Sequence, residues 1–205
     1  MTVEITSTAE LTEVLGVPAP RAADKERTTL HERDRQWLAA SPFCLVATAG
    51  ADGTCDVSPK GDPAGFALVL DDRTIAIPER PGNRRADGYR NILENPHVGL
   101  IFLIPGRTDT LRINGRARLL SDAPWFDEMV VKGHRPVLAV VVEIEQIFYH
   151  CAKAFLRSQL WQPETWSPDS LPSRARLIKE VETPAETLAE LERHYGPEYA
   201  SKLYT

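Results

Sequence analysis

Two short segments concentrate side chains suited to holding a phosphate. In Asp56-Val57-Ser58-Pro59-Lys60-Gly61-Asp62 a hydroxyl and an ammonium lie two residues apart, and glycine lets backbone approach a ligand closely. In Arg80-Pro81-Gly82-Asn83-Arg84-Arg85 a strand is expected to end and a helix to begin. Free amides at a helix N-terminus, with two adjacent guanidinium forks, suit a dianionic phosphate. Arginine near a helix start opposes the helix dipole, a local cost that a bound anion would remove. Each segment also reads as an ordinary solvated turn, and residue types alone leave both readings open.

Two further segments carry donors. Thr110 to Arg118 alternates apolar and polar side chains, which puts Arg112, Asn114, Arg116 and Arg118 on one face of a strand. Cations repeated on one face repel each other unless solvent or an anion lies over them. The stretch from His150 to Trp161 offers Lys153, Arg157 and Ser158 together with an aromatic plane. His150 and Cys151 are adjacent, so on a strand they point to opposite faces and form no nucleophilic dyad. The remaining histidines have no partner at metal-ligand spacing, and no metal site is expected. Cys44, Cys55 and Cys151 show no CxxC pattern, which argues against a disulfide framework or a zinc site.

The elements that must position these residues follow from pattern. Asp24 to Ala40 reads as an amphipathic helix stopped by Ser41-Pro42. Short runs rich in Val, Ile, Phe and Leu come next: Phe43 to Ala49, Thr54 to Pro59 after the Asp52-Gly53 turn, Phe66 to Leu70 and Thr74 to Ile77. Arg84 to Glu94 reads as a helix with Ala86, Tyr89, Ile92 and Leu93 at helical spacing. Val98 to Ile104, Asp109 to Leu120 and Val137 to Phe148 are the longest strand candidates, with a short helix starting at Pro124. The proline-rich stretch around Trp161 and Trp166 reads as irregular, and Pro184 to Tyr195 as an acidic helix. No helix follows every strand, so a mainly β, α+β architecture is expected: six strands in a closed or split barrel with flanking helices. Its parts are a helical extension (1–40), the barrel (41–150) and a C-terminal segment (151–205).

Composition sets the class. A net charge of -5 gives no overall basic field for a nucleic-acid backbone. The N-terminus lacks a basic region followed by an apolar stretch, and no run approaches the ~18 apolar residues of a membrane span, so a cytoplasmic protein is expected.

The order of the segments, Val-Ser-Pro-Lys-Gly-Asp, Pro-Gly-Asn-Arg-Arg, Asn-Ile-Leu-Glu-Asn-Pro-His-Val-Gly-Leu-Ile-Phe and Leu-Arg-Ile-Asn-Gly-Arg-Ala, resembles the pyridoxamine 5'-phosphate oxidase-related FMN-binding family over residues 30 to 166. The His-Cys-x-Lys-Ala and Arg-Ser-x-Leu-Trp segments resemble its bacterial members rather than the true vitamin B6 oxidase. The resemblance implies a six-stranded antiparallel split barrel, paired as a homodimer with two FMN molecules in the grooves between subunits. It places the phosphate on Ser58, Lys60, Asn83, Arg84 and Arg85. The flavin ring would lie near Pro78, Arg112 and the segment Lys153, Arg157, Ser158 and Trp161, contributed by the partner subunit. The function it implies is FMN-dependent oxidoreduction of a small molecule. A non-catalytic flavin-storage protein, or a split barrel that binds heme or a deazaflavin, remains the alternative.

Overall fold

A computed structural model of the chain describes residues 1–204. Three helices, α1 (Thr8–Leu15), α2 (Pro20–Ala23) and α3 (Glu32–Ala40), precede strands β1 (Phe43–Ala49), β2 (Cys55–Gly61), β3 (Leu68–Val69) and β4 (Thr74–Glu79). Helix α4 (Asp87–Glu94) leads into β5 (His97–Leu103), β6 (Thr110–Leu120) and β7 (Leu138–His150). Helices α5 (Lys153–Ser158), α6 (Arg174–Val181) and α7 (Leu188–His194) follow. The strands form one antiparallel sheet in the order β2-β1-β5-β6-β7-β4-β3.

Alternation along the strands builds the interior. On β1, Cys44 and Val46 are buried; on β5, Val98, Leu100 and Phe102; on β7, Val140, Val142 and Ile144. All belong to one apolar cluster that also takes Ile75 and Ile77 from β4 and Trp37 and Leu38 from α3. The opposite faces of β4 and β7 are covered as well: Ala76, Ala139 and Val141 pack under Phe126 and Met129 of the 3₁₀ helix Pro124–Met129. Two-sided coverage explains why β4 and β7 read as nearly continuous apolar runs rather than alternating ones. A third, separate cluster joins α6 to α7 through Ala175, Ile178 and Leu191.

A bulge at Asn114/Gly115 bends β6 against β7. A Cβ on residue 115 would stand 2.0 Å from the carbonyl oxygen of Glu143, so only glycine allows the two strands this approach.

β2, at one end of the sheet order, faces β4, next to the other end, across ion pairs. Lys60 on β2 reaches Glu79 on β4 at 2.6 Å, and Arg80, just after β4, reaches Asp62, just after β2, at 2.5 Å. Side-chain bonds rather than a backbone ladder bridge this seam, which is the split of the barrel.

The structure corrects several element expectations. Among the described residues there are seven strands rather than six; Phe66 to Leu70 contributes only the two-residue β3, paired to Ile75 and Ala76. The helix expected from Asp24 begins at Glu32. Arg27 exchanges two backbone hydrogen bonds with Ile147, which holds the chain extended there. His31 then caps α3: its Nδ1 accepts from the Arg33 amide, while its own amide donates to Asp34 at 2.7 Å. The helix expected from Arg84 begins only at Asp87, since Arg84 adopts a left-handed conformation with φ of 61°. Leu93, assigned to its packing face, is exposed. Helix α6 lies between the proline-rich stretch and the expected final helix and has no counterpart among the expected elements; Ser173 caps its start by accepting from the Arg176 amide, and the final helix, expected from Pro184, begins at Leu188. Residues 1–22, without a clear period in the sequence, contain α1 and all but the last residue of α2.

Candidate functional site

A cleft of about 370 Å³ opens where β2 meets α4. Ser58, Lys60, Asn83 and Arg85 all line it, so the two phosphate-suited segments converge although more than twenty residues separate them. Helix α4 comes close enough that a Cβ on Gly88 would stand 2.9 Å from an Asp56 carboxylate oxygen. Asn91 Nδ2 donates to Thr48 Oγ1 at 3.1 Å, which ties the helix to β1.

Lys60 is the most constrained donor. Its ammonium donates to Glu79 at 2.6 Å and to the Tyr89 hydroxyl at 2.7 Å, and it lies 4.8 Å from the centre of the Tyr89 ring. Tyr89 in turn donates to Glu79. Burial first, then the bond to Glu79, pushes the Tyr89 phenol well above its ordinary range, so it stays protonated. Cys44 is buried on the inner face of β1, and burial pushes its thiol up to about 12.

Asn83 and Arg85 sit differently. The Asn83 side chain accepts from the Arg85 amide at 3.0 Å, forming the turn that delivers the chain into α4. The Arg85 guanidinium pairs with Asp87, and that hydrogen bond holds the Asp87 carboxyl below the usual range. Arg84, expected beside Arg85, is exposed and does not line the cleft, because its left-handed backbone turns it outward.

The donor set fits the phosphate end of FMN: a hydroxyl, an amide, an ammonium and a guanidinium face one space. The same space holds Asp56, Glu79 and Asp87, none of them among the expected site residues. The pair between Arg85 and Asp87 is solvent-exposed and worth little, so an incoming dianion competes for Arg85 easily. The pair between Lys60 and Glu79 is more sheltered and opposes an anion more strongly. Glu79 left no mark in the sequence, because its contact with Lys60 spans the split of the barrel. Tyr89 was legible only as an apolar position of α4.

The flavin-ring positions lie elsewhere in the chain. Pro78 is buried on β4 opposite Ala139. Arg112 sits with its guanidinium 5.1 Å from the centre of the Phe148 ring, its Nε buried without a hydrogen-bond partner. Lys153, Arg157 and Ser158 are exposed on α5. Trp161 stacks on Phe155 and donates to the Arg107 carbonyl at 2.6 Å. Within one chain none of these residues lines the cleft.

The family model described as pyridoxamine 5'-phosphate oxidase matches residues 30–151. The antiparallel sheet, its split and the flanking helices define the split-barrel class, and the chain belongs to the pyridoxamine 5'-phosphate oxidase family. Among solved structures, a candidate pyridoxamine 5'-phosphate oxidase from Lactobacillus delbrueckii is 25% identical, with 60% of this chain and 98% of that one covered and a TM-score of 0.47. HupZ from Group A Streptococcus is 18% identical, with 58% and 93% covered and a TM-score of 0.47. An FMN-binding protein from Syntrophomonas wolfei is 14% identical, with 58% and 89% covered and a TM-score of 0.44. No curated protein matches the chain. Among the described residues no group of acidic, His or Cys side chains is placed to hold a metal, and no helix is long and apolar enough to cross a membrane.

Proposed function

We propose that the protein binds FMN and uses it for oxidoreduction of a small molecule, as a homodimer with the cofactor shared between subunits. The observation that carries the reading is the convergence of Ser58, Lys60, Asn83 and Arg85 on one cleft, the donor set that a terminal phosphate requires. When bound, FMN supplies the ring that accepts and donates electrons, and the protein supplies orientation and electrostatics. Ser58 and Asn83 would orient the phosphate, and Lys60 and Arg85 would neutralise it.

At about 370 Å³ the cleft is near the lower end of cofactor-sized pockets, so one chain encloses only part of such a ligand. The exposed donors Lys153, Arg157 and Ser158, with Trp161, are assigned to the flavin of the partner subunit, and Arg112 and Pro78 to the surroundings of the ring. The segment 151–205 then acts as a cofactor cover.

Purified protein is expected to be yellow and to release FMN, not FAD, on denaturation, since the chain has no GxGxxG loop for a pyrophosphate. The absorption spectrum separates this outcome from bound heme or deazaflavin, and protein that stays colourless when titrated with FMN would refute the assignment. Arg85→Ala should weaken FMN more than Arg84→Ala, because only Arg85 lines the cleft. Reduction of the bound flavin by NAD(P)H, followed by reoxidation with an acceptor, distinguishes an enzyme from a storage protein.

Trp161→Ala tests the shared site. Within its own chain Trp161 makes one hydrogen bond and one stacking contact, together worth on the order of 1–2 kcal/mol of stability. Flavin affinity in the dimer should fall by more than that. A monomer in light scattering that still holds FMN would return Trp161 to a packing role.

A further inference from the structure

A larger cleft, about 800 Å³, lies between the N-terminal extension and the end of β7. It shares no lining residue with the proposed phosphate cleft. Four cations line it, Arg21, Lys25, Arg27 and Arg33, together with His31 and His150. The one carboxylate among its walls, Asp34, is fully buried and already engaged: both Arg27 guanidinium nitrogens and the His31 amide donate to it. Arg21, Lys25 and Arg33 therefore stand in the cleft with no carboxylate within ion-pair distance among the described residues. Lys25 donates to the Tyr149 carbonyl at 3.0 Å, and Arg33 to the neutral Gln36 side chain at 2.7 Å.

Uncompensated positive charge on a chain whose net charge is -5 is a local feature that needs a cause. Arg112 adds to it from behind, since it shares the Phe148 ring with Lys25 and leaves its buried Nε unbonded. Burial first, then Arg112 and Lys25, holds the His150 imidazole below its ordinary range, as expected beside concentrated cations. The rest of the wall is apolar or aromatic: Tyr149, Ala19, Ala22 and Cys151. Arg21, Lys25 and Arg27 precede the part of the chain that the family model matches.

We infer that this cleft is a second ligand site, which takes a small aromatic anion: Arg21, Lys25 and Arg33 hold the charged group and Tyr149 lies against the flat body. The ligand class follows from the lining: the cationic rim offers Arg21, Lys25 and Arg33 to an anionic group, and the apolar and aromatic wall offers Tyr149, Ala19 and Ala22 to a flat body. Nothing in this assignment depends on what fills the phosphate cleft.

Calorimetric titration of the full chain at physiological salt with 1-naphthyl phosphate, 1-naphthoate, 1-naphthol and inorganic phosphate tests it. Saturable binding of at least one naphthyl anion, at one site per chain and at least about tenfold tighter than naphthol or inorganic phosphate, is expected. Naphthyl phosphate against naphthoate tells phosphate from carboxylate recognition. Arg21→Gln with Arg33→Gln should lose that binding by about tenfold or more and leave FMN titration unchanged, whereas Lys60→Met should leave naphthyl-anion binding intact. Both arginines are exposed, so the double variant is expected to fold, which circular dichroism checks. Absence of saturable binding, equal binding by the double variant, or loss of naphthyl-anion binding in Lys60→Met would overturn the inference. So would a parallel loss of FMN affinity in the arginine variant, which would merge this cleft with the flavin site.

Discussion

Lys60→Met is expected to weaken FMN roughly 10- to 150-fold, while Glu79→Gln is expected to tighten it. Methionine keeps the apolar stem of Lys60 and removes only the ammonium, whose charge-assisted bond to a phosphate is worth on the order of 1.5–3 kcal/mol. Lys60 faces Glu79 at 2.6 Å, so any phosphate must share the ammonium with a fixed carboxylate. Neutralising Glu79 removes both that competition and a like charge near the phosphate, hence the opposite sign. Both variants break the same ion pair across the seam, so both should lose some thermal stability. A simple loss of fold would lower affinity in both, and only the binding reading makes the two diverge. Quenching of flavin fluorescence on titration measures each Kd. If Lys60→Met binds FMN as the native chain does, Lys60 serves the seam alone and the phosphate must be held by Arg85, Ser58 and Asn83.

Asp34→Ala should cost about 3 kcal/mol of stability, read as a shift of the urea midpoint with an unchanged slope. The Asp34 side chain is fully buried and accepts hydrogen bonds from Arg27, from the His31 amide that caps α3 and from Tyr149. Removing it strands the Arg27 guanidinium and deletes half of the capping box. Arg27 is 35% exposed and can recover some hydration, which places the cost at the low end for a broken buried pair. The pH dependence has a definite sign. Burial pulls the Asp34 carboxyl upward, but the bonds from Arg27 and the His31 amide outweigh it and hold the group below its ordinary 3.8. A depressed folded-state value means that this contribution is complete above the unfolded pKa and is lost as pH falls through the folded one. Native protein should therefore lose stability from this group below about pH 4, and Asp34→Asn should lack that component. A native-like acid limb in Asp34→Asn would assign acid sensitivity to other carboxylates.

The amino-acid sequence by itself determined the strands, since apolar alternation along β1, β5 and β6 is a local property that burial on one face enforces. It also determined the family, through the order of its short motifs, and the donor chemistry of Ser58, Lys60, Asn83 and Arg85. Element starts were less legible where long-range pairing overrode local pattern. Asp24 to His31 has a helical pattern, but its backbone pairs with Ile147 more than a hundred residues away. Only the tertiary structure decided which donors share a space, because a left-handed backbone at one residue separates Arg84 from Arg85. It also decided that Glu79 stands against Lys60, since β2 and β4, with four strands between them in the sheet order, meet only when the sheet curls. The cationic cleft is of the same kind: Arg21, Lys25 and Arg33 are unremarkable in sequence, and they form a site only because the extension folds back onto the end of β7.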